Sequence, residues 1–420
     1  MEVEKISNGL TLLHKQLHHT HSVSMGLYIK AGSKDEREGK DGLTHLLEHM
    51  HFRRLKELTQ KELYAFVESL GTSLRGKTYK DLFCFTLKIR PLYVNEAMDV
   101  FVRILDHAEW TEEDLEKERG VVLDQILQRE YDQSLDYYMD QLLWKGHPLG
   151  RPIMGTSKTV SSLTIQDLIN HKKRCLQPDN LVFVMTGNFT DEHLHSIKDR
   201  LEGVSFSYDF EECAKPTPLP NRKGPEVRKV NRNWNLSEVC VAFDIDSRKV
   251  SPQALTLLNS ILGEGIGSRL QLHLREERGI ATDIESYIEY YEDASPLFIT
   301  FSAEKEHLKH CFDWIVQVLK RLKTNIKEAD LTQSLPFYTE NLFFLLDDTE
   351  ELNREIAHRF LLYNERYDIE REMSLYKKVT RHDLMELAKS IFKKEKVSIV
   401  IMGDCNGVNR EQIRSLFHSL

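Results

Sequence analysis

Three short segments of this chain recur at one fixed spacing, and that spacing limits the fold more than any other feature. Glu112-Glu-Asp-Leu115 returns as Glu328-Ala-Asp-Leu331, and Thr164-Ile-Gln-Asp-Leu168 returns as Thr380-Arg-His-Asp-Leu384. The apolar stretch Leu181-Val-Phe-Val-Met-Thr-Gly-Asn188 returns as Val397-Ser-Ile-Val-Ile-Met-Gly-Asp404. All three pairs lie 216 positions apart in 420 residues, so two homologous halves are expected. Between them, Pro216, Pro218, Pro220 and Pro225 crowd a segment that cannot continue a helix or a central strand. The sequence therefore divides into residues 1–204, carrying the chemistry described below, a proline-rich linker over 205–229, and residues 230–420.

Each half mixes element types. Leu10-Thr-Leu-Leu13, Val23-Ser-Met-Gly-Leu-Tyr-Ile29 and Leu82-Phe-Cys-Phe-Thr-Leu-Lys-Ile89 have the alternation or β-branched content of strands. Thr59-Gln-Lys-Glu62 has the form of a capping box opening a helix towards Ser69. Thr111-Glu-Glu-Asp114 repeats the device with Asp and precedes a helical pattern reaching about Tyr131. Interspersed strands and helices predict an α+β fold in which each half packs helices on a mainly antiparallel sheet.

Composition narrows the function. A net charge of −9 argues against a nucleic-acid or anionic-membrane coat protein. No apolar run reaches the roughly 18–20 residues of a membrane span, and the acidic start at Glu2 and Glu4 is unlike a signal peptide. The six cysteines are scattered without a C-x-x-C pair, so reduced thiols in a cytoplasmic setting are expected.

The sharpest local signal is His45-Leu-Leu-Glu48-His49. On a helix, His45 and His49 stand one turn apart on one face and offer two imidazoles to one metal ion. Glu48 lies beside them, placed to take a proton from a bound water. This is the H-x-x-E-H order of the inverzincins. Two other patterns carry less. Gly263-Glu-Gly-Ile-Gly-Ser268 lacks the Gly-Lys-Ser/Thr of a phosphate loop. His14, His18, His19 and His21 fit a solvated strand end better than a second metal cluster.

The segments flanking the motif, Lys30-Ala-Gly-Ser-Lys-Asp-Glu36, Lys40-Asp-Gly-Leu-Thr44 and Met50-His-Phe52, resemble the pitrilysin family of zinc peptidases. That family includes mitochondrial processing peptidase and insulin-degrading enzyme. Landmarks spread along the chain carry the same resemblance: Asn8-Gly-Leu10, His147-Pro-Leu-Gly150, Pro178-Asp-Asn180, Gly263 to Leu270, and Leu274-Arg-Glu-Glu-Arg-Gly279. The resemblance implies a duplicated α+β fold, bound Zn2+, and hydrolysis of peptides in a closed chamber.

It also implies roles. His45 and His49 correspond to metal ligands, Glu48 to the catalytic base, and Glu118 to a residue that orients a ligand. The family's third ligand is a Glu seven residues after Glu118, where this chain has Gln125. A neutral amide holds zinc less strongly than a carboxylate. A weak natural site, a natural loss of activity and an engineered inactivation all fit this departure. Leu74-Arg-Gly-Lys-Thr78 corresponds to the edge strand that pairs with substrate, which places Arg75, Gly76 and Lys77 against a peptide, although the family's usual Asn-Ala is here Arg75-Gly76. The family's Arg/Tyr pair in the second half is met by Arg275, but the Tyr position is Thr282. Tyr287 lies five residues beyond and by strand parity faces the other way. The incomplete pair implies the zinc-bearing subunit of a bacterial-type heterodimer whose partner supplies the Arg/Tyr pair, with a homodimer as the alternative. A catalytically inactive scaffold or substrate-capture subunit is the rival reading.

Overall fold

A computed structural model describes residues 1–131, 134–206, 217–221 and 223–420. Much of the expected proline-rich linker, with Cys213, lies outside the described residues. The first sheet has six strands, and a short two-stranded hairpin lies outside it. Its early strands are β1 (Glu2–Lys5), β2 (Thr11–Gln16) and β3 (Val23–Ile29). The hairpin of β4 (Arg54–Leu55) and β5 (Leu58–Thr59) stands apart from the sheet. The set is completed by β6 (Arg75–Thr78), β7 (Phe83–Ile89) and β8 (Leu181–Gly187). The second sheet contains β9 (Glu226–Asn231), β10 (Ser237–Phe243), β11 (Thr282–Ile288), β12 (Leu297–Ala303) and β13 (Val397–Gly403).

The first sheet runs β1-β2-β8-β3-β7-β6, and the second runs β11-β12-β10-β13-β9. Each contains one parallel pair, β2 with β8 and β13 with β9, and every other neighbour is antiparallel. The mainly antiparallel α+β architecture read from the sequence is what the chain adopts. The repeat also maps onto equivalent structure. Thr164 and Thr380 each cap a helix with an Asp three residues on, and β8 and β13 are both central strands buried along their whole length.

The early helices are α1 (Leu43–Arg53), α2 (Gln60–Ser69), α3 (Val94–Leu105), α4 (Glu112–Tyr131) and α5 (Leu135–Leu143). Thr59 and Glu62 form the expected capping box of α2. Thr111 and Asp114 exchange hydrogen bonds at the start of α4. The chain forms two units that cross the sequence halves. The first comprises Met1–Asp132, Arg151–Pro216 and Leu342–Ile369, and the second Gln133–Gly150, Thr217–Asn341 and Glu370–Leu420.

In the first unit, one face of the sheet packs against α1, α3 and α4 through Val23, Met25, Leu27, Phe83 and Phe85. Its other face takes the helix Thr349–Tyr363, late in the sequence. That contact is partly polar. Asn353 Nδ2 donates to the carbonyls of Ser24 and Val184 at 3.0 Å each, and the Tyr28 hydroxyl donates to Asn353 Oδ1 at 2.9 Å. Gly26 leaves the room for it: a Cβ there would sit 2.6 Å from Asn353 Oδ1. In the second unit, α5 covers one face of the sheet with Tyr138, Met139 and Leu143, beside Trp144.

One strand departs from expectation. Pairing of β11 with β12 shifts between Thr282 and Glu285, and Asp283 has φ of 50°. This bulge adds one residue, so Tyr287, opposite Phe298, shares the face of Thr282, opposite Ser302. The parity assigned from the sequence was wrong because strand alternation cannot see a bulge. Tyr287 is nonetheless engaged, stacked on Phe298 at 5.0 Å. Among the described residues, Cys84, Cys175, Cys240, Cys311 and Cys405 are unpaired and buried, and no helix is long and apolar enough to cross a membrane.

Candidate metal and peptide site

Helix α1 carries the motif, and its amino terminus is held from outside. Its N-cap is Gly42, in the left-handed region at φ 92°, where no side chain can cap. Glu36 does so instead, accepting from the amides of Gly42 at 2.8 Å and Thr44 at 2.7 Å. Burial pushes the Glu36 carboxyl up to about 8 against these two donors. Thr44 Oγ1 lies 2.9 Å from His171 Nε2, and Arg174 donates to His171 Nδ1 at 2.8 Å. Arg174 thereby fixes the tautomer: Nδ1 accepts, and Nε2 carries the proton given to Thr44. Leu43, Leu46, Leu47 and Met50 anchor the helix in the core.

His45 and His49 stand with ring centroids 4.6 Å apart, as one helical turn requires. His49 Nδ1 lies 3.0 Å from Glu118 Oε2, presented by α4. A proton on Nδ1 in that bond leaves Nε2 as the free donor for a cation. Two turns along α4 from Glu118 is Gln125, whose Oε1 is buried and has no hydrogen-bond partner. A buried acceptor without a donor costs about 1–3 kcal/mol, and a bound cation would satisfy it. The residues present therefore fit a divalent ion. Among the described residues, no three His, Cys, Asp or Glu side chains are grouped so as to hold a metal ion.

Glu48 points from α1 to the sheet edge, where Thr78 donates to its Oε2 at 2.5 Å. Burial raises the Glu48 carboxyl above its usual range, while the Thr78 hydrogen bond and the charge of His49 pull the other way. A raised carboxyl is suited to taking and returning a proton near neutral pH. Among the described residues, the strand bearing Thr78, β6, pairs only with β7, which leaves its other edge without a strand partner. Gly76 faces α1 as Thr78 does. A Cβ at Gly76 would lie 2.5 Å from Glu48 Oε1 and 2.6 Å from Phe52 Cε2, so glycine lets the strand approach the carboxylate.

Arg75 and Lys77 alternate to the opposite face. Arg75 pairs with Glu350 at 3.0 Å, and Lys77 sits 4.7 Å over the Tyr79 ring. Neither side chain joins Glu48. In the second unit, Arg275 lies on the helical turn Gln271–Glu276, half-exposed and 3.7 Å from Glu276. Sequence reasoning missed Thr78, Arg53 and Glu36. Arg53 could have been found, since it stands four residues beyond His49 on the same helix face. The bonds of Thr78 and Glu36 depend on folding and have no local signature.

A duplicated α+β chain with a His-x-x-Glu-His helix packed against the edge of its first sheet has the fold of the zinc-peptidase class. Comparison with known proteins specifies the group. Residues 11–157 match the family model described as Insulinase (Peptidase family M16), and residues 162–335 match the Peptidase M16 inactive domain. The chain belongs to the M16 peptidase family. An uncharacterized zinc protease of Rickettsia bellii is 25% identical over 407 residues, spanning 95% of this chain and 97% of that protein. A protease from Helicobacter pylori shares the fold with TM-score 0.86 at 22% identity, over 96% of this chain and 98% of that one. A chain of Complex III2 from Candida albicans shares it with TM-score 0.82 at 16% identity, over 99% of each.

Proposed function

We propose that the first unit is a zinc-dependent endopeptidase site acting on extended peptides. The observation that carries this reading is the buried, donorless oxygen of Gln125, two helical turns from the carboxylate that holds His49. His45, His49 and Gln125 would hold the ion. When bound, zinc polarises a peptide carbonyl and lowers the pKa of a water molecule. Glu48 takes the water's proton and returns it to the leaving amine, with Thr78 fixing the carboxylate for both transfers. The open edge of β6 binds substrate through backbone hydrogen bonds, which tolerates many sequences. Gly76 lets that backbone lie close to Glu48.

Arg275 without a tyrosine at Thr282 leaves stabilisation of the oxyanion incomplete, so a homologous partner subunit supplies the Arg/Tyr pair. The unpaired cysteines suit a reducing, cytoplasmic compartment. The inactive-scaffold reading draws on Gln125 and Thr282 together, since each lacks the group the chemistry uses.

Metal analysis decides between them. About one zinc per chain is expected after dialysis against micromolar zinc, together with slow cleavage of long unstructured peptides. Gln125→Glu is expected to tighten zinc binding at least ~10-fold, because a carboxylate replaces a neutral donor. Absence of zinc from both the natural chain and Gln125→Glu would establish the scaffold instead.

A further inference from the structure

Helix α1 offers Glu118 two contacts, and the motif accounts for only one. Arg53 stands one turn beyond His49 on the same face. Its Nε donates to Glu118 Oε1 at 2.7 Å, while Glu118 Oε2 meets His49 Nδ1 at 3.0 Å. A second guanidinium nitrogen of Arg53 donates to Gln60 Oε1 at 3.0 Å, at the start of α2. Glu118 is almost wholly buried, with only 5% of its side chain exposed. Both of its oxygens are therefore committed, one to each side chain of α1, and the guanidinium that holds the first is itself tethered.

We infer that Arg53 is a positioning residue for the metal site, acting through Glu118 on His49. The inference rests on His49 being a zinc ligand. A carboxylate held at one oxygen alone can rotate about its last side-chain torsion, and its other oxygen then loses the line to His49 Nδ1. Held at both, it fixes the plane of the imidazole and hence the direction of the Nε2 lone pair. Arg53 suits the task better than lysine, because its rigid planar fork can hold Glu118 and Gln60 at once. The charge of Arg53 also offsets the burial of the Glu118 carboxylate, so loss of stability alone would not distinguish positioning from a purely structural ion pair.

The test measures zinc affinity of the full-length chain by competition with a chelating fluorophore, beside the melting temperature of the metal-free chain. Arg53→Met is expected to weaken zinc binding 10–100-fold. Arg53→Lys should weaken it less, and Gln60→Ala, which removes only the tether, by a few-fold. In a Glu118→Gln background, Arg53→Met should cost little more, because the group it positions has gone. With cobalt in place of zinc, the visible bands of Arg53→Lys should shift, a signature that a structural ion pair would leave unmoved. Unchanged affinity and spectrum in Arg53→Lys and Gln60→Ala overturn the proposal even if Arg53→Met fails to fold. So does a full, additive loss in the Glu118→Gln background. A natural chain that binds no zinc at all overturns the metal reading first, and this inference with it.

Discussion

Gly76 shows how much chemistry one missing side chain permits. The resemblance places an alanine here, and this chain has removed even that methyl group, so the edge strand lies against Glu48 and Phe52. Gly76→Val tests the contact. The branched side chain suits an edge strand, yet its Cβ cannot sit beside Glu48 without displacing the carboxylate from Thr78. Peptidase activity is expected to fall ~10-fold or more, since general-base catalysis of this kind contributes ~10²–10⁴-fold. The melting temperature should change by only a few degrees. Equal activity of variant and natural chain would show that Glu48 does not work from the position seen here. Legibility at this scale was uneven. His45, Glu48 and His49 were readable because a helix makes their spacing a geometry, whereas Thr78 was not, because a contact across 30 residues leaves no local pattern.

Among elements, the helix Thr349–Tyr363 is the one whose place the sequence concealed. Its capping residue Asp348 and its apolar face are ordinary, and nothing local says that it belongs to the first sheet. The contact is legible only from the sheet side, where Ser24, Gly26 and Thr186 leave a small and polar strip in otherwise apolar strands. Asn353 fills that strip. Asn353→Leu should therefore destabilise the first unit more than its gain in apolar volume suggests. It removes bonds to Ser24, Val184 and Tyr28 and leaves their polar atoms buried. A loss of about 2–4 kcal/mol is expected, read as a lower midpoint in urea unfolding. A midpoint equal to the natural chain's would mean that the helix is held by its apolar contacts alone. By contrast, the capping devices at Thr59 and Thr111 were read directly, because capping is chemistry within one turn.

At the scale of the molecule, the duplication has diverged where chemistry would sit. In the second unit, the contact between the helix Pro252–Leu262 and the edge strand is made by Asn259 and Ser286, which bond to each other at 2.6 Å. In the first, that contact joins Glu48 to Thr78. The first unit also buries neutral histidines, and these make the molecule sensitive to acid. Burial, aided by Arg174 and Arg37, pushes His171 down to about 3, and burial with Arg354 pushes His358 down to about 4. Such a group binds its proton more readily unfolded than folded, so its contribution is complete above about pH 6.5 and declines as pH falls towards the folded value. Each histidine then takes away up to ~1.4 kcal/mol per pH unit over its window. Glu36 works in the opposite sense. Its raised carboxyl favours the folded state below about pH 4.5, and that contribution is lost as pH rises through about 8. His171→Gln separates the terms, since it can keep the donor to Thr44 while removing the titration. Its unfolding midpoint should be lower than the natural chain's at pH 8, with a shallower decline between pH 6.5 and 4. If the two midpoints fall in parallel as acid is added, His171 is protonated in the folded state, and the hydrogen bond from Arg174 to its Nδ1 does not hold in solution.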